Sequence, residues 1–260
     1  MKILNGTDLA SFIKQRQARQ AASMKKKPQL LIIRDSENPV ILKYVNLKIR
    51  YGTDIGVEVI DYCATSTTDI ATKIKAANED PAITGIILQL PILEKGKTDE
   101  LCSLIAPAKD VDGLGINAKY DSATATAILW LLAGYDIKLE GKKIAIVGRG
   151  KLVGAPLYRI FQASNYDVSL FHRGSDLTKL KNFDIIITAT GAPGLISNDF
   201  ISPSTTLVDA GTASEDGVIK GDLAPELYAR YDLTAITPIK GGVGPLTITC
   251  LFDHLLQNTK

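Results

Sequence analysis

A tyrosine and a lysine four residues apart are the first residues of the chain whose types and spacing suggest chemistry. Tyr44 and Lys48 open and close the segment YVNLK. On a helix, positions i and i+4 lie on one face, so the phenol and the ammonium would project together. A lysine partly buried beside apolar side chains has a lowered pKa and can donate or accept a proton. The alternative interpretation is a surface lysine beside a core tyrosine, because this spacing is common by chance.

A glycine-rich segment between a predicted strand and a predicted helix has the pattern of a phosphate-binding turn. The sequence IAIVGRGKLVGAP gives G-x-G-x-x-x-G at Gly148, Gly150 and Gly154, one residue longer than the commonest dinucleotide fingerprint. The first glycine permits a tight turn, the second lets a phosphate approach the backbone, and the third allows close helix–strand packing. The helix N-terminus offers free N–H groups to an anion. The segment predicts a dinucleotide site, with a purely structural turn as the alternative.

The end of the next predicted strand indicates which dinucleotide is bound. NAD-binding units usually carry an acid there for the ribose hydroxyls. This strand instead ends in Phe171-His172-Arg173. Arg173 together with Arg149 is suited to hold a 2′-phosphate, which favours NADP over NAD. Two solvated arginines without a ligand are the alternative.

Three further segments place polar or glycine residues where α/β proteins bind ligands. Gln89 opens QLPI after a buried strand, and open α/β sheets bind ligands at the carboxyl ends of strands. The segment KDVDG puts two carboxylates, one of them Asp112, in what is otherwise a plain tight turn. TPIKGGVGP, at residues 237–245, offers backbone donors before a final helix, unless it is a bare connector.

The elements that must position these residues alternate between strands and helices. Continuous apolar runs favour parallel strands covered on both faces. Asn38-Pro39 and Ser66 are predicted to open helices, and the last helix is expected at about 246–257. This alternation predicts an α/β architecture with a domain boundary near Asp121. Strands are expected at 29–34, 57–62, 84–90, 143–148, 168–172, 184–190, 205–209 and 233–237.

The composition excludes several classes of function. The chain has 260 residues, of which 45% are hydrophobic and 22% charged, and its formal net charge is +2. This balance argues against a dedicated nucleic-acid binder, and no apolar run is long enough for a membrane helix or a signal peptide. Cys63, Cys102 and Cys250 are expected to be reduced thiols of a cytoplasmic protein. With only two histidines, no metal site is expected.

Taken together and in order, seven motifs resemble the bifunctional methylenetetrahydrofolate dehydrogenase/methenyltetrahydrofolate cyclohydrolase family, the FolD type. The resemblance implies a two-domain α/β fold, in which an N-terminal α/β catalytic domain and a Rossmann-type doubly wound parallel sheet flank a cleft. It implies a folate-binding catalytic domain at 1–120, to which the C-terminal helix at 245–260 returns, and an NAD(P)-binding domain at 121–244. A cytoplasmic homodimer is expected. The motifs, spread over nearly the whole chain, are YVNLK, QLPI, KDVDG, GRGKLVGAP, ATGAPGLI, VDAG and TPIKGGVGP.

The resemblance also implies a role for each candidate site residue. Lys48 matches the central catalytic group, and Gln89 matches the residue that hydrogen-bonds it and tunes its protonation. Tyr44 matches a residue stacked near the pterin ring, and Asp112 one that anchors the pterin's donor edge. The residues expected along the folate also include Gly241, Gly242, Gly244 and Pro245. The cofactor-binding positions are Gly148, Arg149, Gly150, Arg173, Thr212 and Thr247, the last near the nicotinamide.

The implied activity belongs to one-carbon metabolism and thereby to purine and amino-acid biosynthesis. NADP⁺ oxidises 5,10-methylenetetrahydrofolate to the methenyl form, which is hydrolysed to 10-formyltetrahydrofolate. The chain departs from the family's pattern at Ile41, where a serine is usual, at Ala123–Ala127, where C-T-P-x-G is usual, and in a shorter preceding loop. These departures leave open the balance of the two activities. Another NAD(P)-dependent oxidoreductase and a non-catalytic folate- or nucleotide-binding homologue are the alternatives.

Overall fold

Strands and helices alternate along the computed structural model, which describes residues 1–211, 213–215 and 218–258. The helices are α1 (Gly6–Ser23), α2 (Pro39–Ile55), α3 (Thr67–Glu79), α4 (Thr98–Leu104), α5 (Ala123–Gly134), α6 (Gly154–Ala163) and α7 (Val243–Gln257). The strands are β1 (Lys2–Ile3), β2 (Gln29–Arg34), β3 (Glu58–Cys63), β4 (Gly85–Leu88), β5 (Lys143–Val147), β6 (Asp167–Phe171), β7 (Ile185–Thr188), β8 (Thr206–Asp209), β9 (Ala213–Glu215), β10 (Val218–Lys220) and β11 (Ala235–Ile236).

A three-stranded parallel sheet is the centre of one compact unit, which we call the Lys48 unit. This unit comprises Ser11–Ala123 and the chain from Ile248 onward. β2 lies between β3 and β4 and is parallel to both. The backbone N–H of Gln89 donates to the carbonyl of Ile33 at 2.8 Å. The carboxyl ends of β2 and β4 therefore lie side by side.

A second parallel sheet is the centre of the other compact unit, which we call the Gly148 unit. This unit comprises Met1–Ala10 and Thr124–Thr247. In the described residues its strand order is β1-β11-β8-β7-β5-β6, and every neighbouring pair is parallel. The chain passes from β5 through α6 to β6 and then returns to the opposite side of β5 as β7. Open α/β sheets bind ligands where the strand order reverses in this way.

The predicted α/β class is confirmed, and each predicted strand is present with its bounds shifted by at most two residues. The helix signals are also confirmed: the side chain of Asn38 accepts the N–H of Val40, and that of Ser66 accepts the N–H of Asp69. The predicted start of the last helix is wrong by three residues, because α7 begins at Val243. Proline in a first helical turn costs no hydrogen bond, so the Gly-Pro composition did not exclude a helix there.

Residues 1–10 lie in the Gly148 unit, whereas the sequence analysis grouped them with residues 11–120. The reason is β1, whose Lys2 and Ile3 pair with Ala235 and Ile236 of β11. A strand of two exposed residues has no hydrophobic pattern to reveal it. The hairpin of β9 and β10 was not predicted either.

None of the helices in the described part of the chain combines the length and the apolar character needed to cross a bilayer.

Candidate functional site

Lys48 occupies a position on α2 at which an apolar side chain would be expected. The buried residues of this helix are Ile41, Val45, Lys48, Tyr51, Gly52 and Ile55, which form one stripe at helical spacing. Lys48 itself is only 8% exposed. Burying an ammonium is costly unless it is paired, so its presence in the stripe points to a function. Tyr44 lies one turn earlier on the helix and is partly buried.

Gln89 is the hydrogen-bond partner of this lysine. The Lys48 Nζ donates to Gln89 Oε1 at 2.6 Å, and both residues are buried. The Gln89 side chain is oriented in turn by a second hydrogen bond, in which its Nε2 donates to the carbonyl of Leu90 at 3.0 Å. Gln89 follows β4, as the sequence predicted, and therefore places its amide at the carboxyl edge of the sheet.

Asp112 completes the group through its charge. Burial lowers the pKa of Lys48, and the charge of Asp112 opposes that lowering. Burial likewise raises the pKa of Asp112 to about 6, with Lys48 acting against the rise and Asp110 adding to it. Near neutral pH, Lys48 therefore has a larger uncharged fraction than an ordinary lysine, while Asp112 is mostly ionised. A pair of groups with pKa values displaced towards neutrality is suited to proton transfer.

The turn that carries Asp112 is built by Asp110, a residue that the sequence analysis did not single out. The carboxylate of Asp110 accepts the backbone N–H groups of Gly113, Leu114 and Gly115 at 2.9, 3.0 and 2.6 Å. Gly113 has φ of +70°, and an added Cβ would lie 2.5 Å from the carbonyl oxygen of Asp121. The segment is thus both a tight turn, as the alternative interpretation held, and the support of a polar group near Lys48.

The short loop between Asp112 and Ala123 is held at its end by contacts within the Lys48 unit. The backbone N–H of Ala123 donates to the carbonyl of Asp112 at 3.1 Å. Tyr120 stacks on His254 of α7, with ring centroids 4.3 Å apart and an interplanar angle of 6°. His254 Nδ1 is 2.8 Å from the carbonyl oxygen of Val111. The short loop therefore returns to the turn it left, and His254 of α7 contacts this segment at Val111 and at Tyr120.

The glycine turn of the Gly148 unit combines close backbone packing with open space. Gly148 has φ of +112°, and an added Cβ would collide with the carbonyl oxygen of Ala189. A Cβ on Gly154, the first residue of α6, would collide with the carbonyl oxygen of Gly148. At Gly150, by contrast, no atom of any described residue lies within 4 Å of an added Cβ. The turn is therefore closely packed below and open at the position predicted to meet a phosphate.

The two arginines lie at the same edge of the sheet as this turn. Val147 at the end of β5 pairs with Phe171 at the end of β6, and each arginine follows two residues later. Both Arg149 and Arg173 are exposed. The turn after β6 is fixed by the N–H of His172, which donates to Ser175 Oγ at 3.0 Å. No carboxylate follows β6 before the arginine, so this edge suits a phosphate.

A buried aspartate that the sequence analysis missed shapes the neighbouring loop. Asp222 accepts the backbone N–H groups of Thr190 and Ala192 at 2.6 and 3.0 Å, and it is fully buried. These residues follow β7, and the backbone nitrogen of Thr190 would lie 3.2 Å from a Cβ added at Gly148. Asp222 lies about thirty positions along the chain from the residues whose N–H groups it accepts, so no local sequence pattern identifies it.

The remaining predicted positions lie at the start of α7, in the Gly148 unit. Gly241 and Gly242 precede the helix, and Gly244 and Pro245 belong to its first turn. The carbonyl of Gly241 accepts the N–H of Thr7 at 3.0 Å. Thr247 lies one turn further, and its hydroxyl donates to the carbonyl of Val243 at 3.4 Å. Thr212, the last of the predicted cofactor positions, lies outside the described residues.

Two family models match the chain. The model for the tetrahydrofolate dehydrogenase/cyclohydrolase catalytic domain matches residues 4–112, and the model for the tetrahydrofolate dehydrogenase/cyclohydrolase NAD(P)-binding domain matches residues 122–260. Among similar proteins, the bifunctional protein FolD of Amoebophilus asiaticus is 36% identical, with 98% of this chain and 95% of the relative covered.

Solved structures of similar proteins include the bifunctional enzyme FolD of Campylobacter jejuni. Its TM-score is 0.93 at 28% identity, with 100% of this chain and 98% of that chain covered. The methylenetetrahydrofolate dehydrogenase-cyclohydrolase of Trypanosoma brucei, solved with NADP cofactor and an inhibitor, has a TM-score of 0.88 at 25% identity. That likeness covers 99% of this chain and 96% of the other.

Proposed function

The chain belongs to the tetrahydrofolate dehydrogenase/cyclohydrolase family, and on this premise we propose that it oxidises 5,10-methylenetetrahydrofolate and hydrolyses the methenyl product to 10-formyltetrahydrofolate. The observation that carries the proposal is the buried Lys48, whose amine donates to Gln89 and interacts with the charge of Asp112. These groups lie in the segment that matches the catalytic-domain model.

In the first step the one-carbon bridge of the substrate loses a hydride and becomes the methenyl cation. NADP⁺, when bound, supplies the hydride acceptor. The residues proposed to hold it are Gly148, Arg149, Gly150, Arg173, Thr212 and Thr247. The open space at Gly150, the N-terminus of α6 and the two exposed arginines support a phosphorylated dinucleotide.

In the second step water attacks the methenyl carbon and must lose a proton. Lys48 accepts that proton in its uncharged form, which its lowered pKa makes more populated than in an ordinary lysine. Gln89 holds the amine in place through the 2.6 Å hydrogen bond. Lys48 then returns a proton to the nitrogen that leaves when the C–N bond breaks. The hydroxyl becomes the formyl carbonyl, and one proton is released overall.

The other proposed substrate contacts orient the folate. Asp112, ionised above its pKa of about 6, accepts N–H donors of the pterin. Tyr44 packs against the pterin ring. The rest of the folate contacts Gly241, Gly242, Gly244 and Pro245. Correct orientation of the substrate raises the rate of both steps by keeping the reacting atoms close.

We also propose the wider setting of this activity. The protein acts in the cytoplasm as a homodimer and supplies one-carbon units to purine and amino-acid biosynthesis. Residues 11–120 with the returning C-terminal segment bind folate, and residues 121–244 bind NADP. Light scattering on the purified protein tests the dimer: a monomer across micromolar concentrations would contradict it.

Turnover by the purified protein tests the function. With 5,10-methylenetetrahydrofolate and NADP⁺ we expect reduced nucleotide and 10-formyltetrahydrofolate, and a slower reaction with NAD⁺. Absence of nucleotide reduction with both NADP⁺ and NAD⁺ would contradict the proposed dehydrogenase activity. Hydrolysis of methenyltetrahydrofolate at only its uncatalysed rate would contradict the proposed cyclohydrolase activity. Calorimetry that detects both ligands without any reaction would instead support the non-catalytic homologue.

A further inference from the structure

Two adjacent residues at the end of the central strand β2, Arg34 and Asp35, contact the segments on both sides of the strand. Arg34 is the last residue of β2, and Asp35 follows it. The chain after Asp35 enters α2, and because β2 pairs with β4, Asp35 also lies beside the segment that follows Gln89. Neither residue takes part in the proposed proton transfer.

Arg34 fastens the start of α2. Its guanidinium donates to the Asp61 carboxylate from Nε and Nη2 at 3.0–3.1 Å. Its Nη1 donates to the carbonyl of Ser36 at 3.1 Å and to the carboxylate of Glu37 at 2.8 Å. The hydroxyl of Ser36 accepts the N–H of Asn38, the residue that caps α2. This chain of hydrogen bonds fixes where the helix with the buried lysine begins.

Asp35 fastens the segment after Gln89. Its Oδ2 accepts the backbone N–H of Leu93 at 2.9 Å. The amide of Gln89 takes its orientation from the carbonyl of Leu90, within the same short segment. The carbonyl that orients the Gln89 amide and the N–H held by Asp35 therefore belong to one segment of the chain, residues 89–93.

The second carboxylate oxygen of Asp35 argues against a role in stability. Oδ1 is buried and has no hydrogen-bond partner among the described residues. A buried polar atom without a partner destabilises the folded state. What this aspartate contributes is the position of the segment that it holds through Oδ2.

We propose that Arg34 and Asp35 are positioning residues for the hydrogen bond between Lys48 and Gln89. Arg34 fixes the helix that carries the lysine, and Asp35 fixes the segment that carries the glutamine. Together they set the two ends of the 2.6 Å contact. The kinetic part of the test rests on the proposed function, whereas its spectroscopic part does not.

Replacement of Asp35 separates positioning from charge. Asp35→Leu replaces the carboxylate that accepts the N–H of Leu93 with an apolar side chain of similar size. We expect kcat for hydrolysis of methenyltetrahydrofolate to fall about tenfold, with little change in KM. Asp35→Asn keeps an amide oxygen that accepts the same N–H, so it should restore kcat. In a Gln89→Leu background, Asp35→Leu should cause no further loss, because the effect acts through Gln89.

Asp80→Leu is the matched control. Asp80 Oδ1 accepts the N–H of Ala82 at 2.8 Å in the segment that leads into β4, at the opposite end of that strand. This variant should keep wild-type kcat even where its melting temperature falls. An unchanged kcat in Asp35→Leu, an equal fall in Asp80→Leu, or additive losses with Gln89→Leu would overturn the proposal.

A lysine resonance keeps the proposal testable without turnover. The Nζ or Cε signal of Lys48, assigned with Lys48→Met, should shift in Asp35→Leu and stay in place in Asp35→Asn. If the wild-type protein does not hydrolyse methenyltetrahydrofolate, the proposed function fails and this signal alone decides the positioning role. An unmoved signal in Asp35→Leu would overturn it.

Discussion

In the Lys48 unit the groups proposed to act on the substrate are mostly buried side chains, whereas in the Gly148 unit the proposed nucleotide-binding groups are a glycine turn and two exposed arginines. Lys48 and Gln89 are at most 9% exposed and affect each other through a direct hydrogen bond. Gly148 and Gly150 contribute a turn whose value is the absence of a Cβ, and their charged partners are exposed. The first region tunes proton affinity by burial, and the second leaves room for an anion.

This difference determines how each region should respond to substitution. Removing a buried polar group abolishes a chemical step and also leaves its partner without a hydrogen bond. Adding a methyl group to a glycine turn blocks a ligand or strains the backbone, but changes no proton transfer. The two regions should therefore fail in separable ways, one in hydrolysis and the other in nucleotide binding.

The largest effect is expected for Lys48→Met. Methenyl hydrolysis without nucleotide should fall by at least about 100-fold, since a positioned acid–base group contributes about 10²–10⁴ in rate. Nucleotide affinity should be unchanged. Lys43→Met, on the exposed side of the same helix, is the control and should hydrolyse at the wild-type rate. Near-wild-type hydrolysis by Lys48→Met would refute the role of the lysine.

Gly148→Ala should have the next largest effect, and it should fall on the nucleotide. Its φ of +112° and the collision with Ala189 predict strain of about 1–3 kcal/mol, a lower melting temperature and NADP affinity reduced at least about tenfold. Gly150→Ala, in open space, should weaken NADP without lowering the melting temperature. Gly96→Ala, also open, should change neither quantity. Unchanged NADP affinity in both turn variants would place the dinucleotide elsewhere.

Arg173→Gln should alter the preference between nucleotides. A charge-assisted hydrogen bond contributes about 1.5–3 kcal/mol, so NADP affinity should fall about tenfold or more while NAD affinity stays nearly constant. Lys181→Gln, an exposed basic residue of the same unit, controls for net charge. Equal losses for both nucleotides would show that Arg173 does not contact the 2′-phosphate.

The smallest effect under near-neutral conditions is a twofold rise in KM near pH 6, the onset of a pH dependence of substrate binding. The pKa of Asp112 is raised to about 6, so its carboxylate is lost as the pH falls through that value. KM for methenyltetrahydrofolate should double near pH 6 and rise about tenfold per pH unit below it. Asp112→Asn has no carboxyl to protonate. Its KM should be higher than that of the wild type at neutral pH and should not rise further as the pH falls below 6. A wild-type KM that stays flat to pH 4.5 would contradict the assignment.

The sequence was sufficient wherever the signal was local. The cap at Asn38, the apolar runs of the strands and the spacing of Tyr44 and Lys48 all depend on neighbours within a few residues. They placed α2 and the carboxyl end of β4 correctly. The stripe of apolar positions on α2 even contained the main clue, a lysine at a buried position.

Long-range contacts were beyond such patterns. Asp110 and Asp112 have the same side chain in one short segment, and only the backbone geometry shows that Asp110 builds the turn. Asp222 acts on residues about thirty positions away. β1 has only two exposed residues, and its partner strand lies at the other end of the chain.

The most direct test of the role of Lys48 is the pKa of its amine, measured by titration of its labelled side chain. We expect a value below the 10.5 of an ordinary lysine, because the side chain is buried. We expect a still lower value in Asp112→Asn, where the charge that opposes the lowering is gone. A titration at the ordinary value that does not respond to Asp112→Asn would contradict the claim that burial prepares Lys48 to accept a proton.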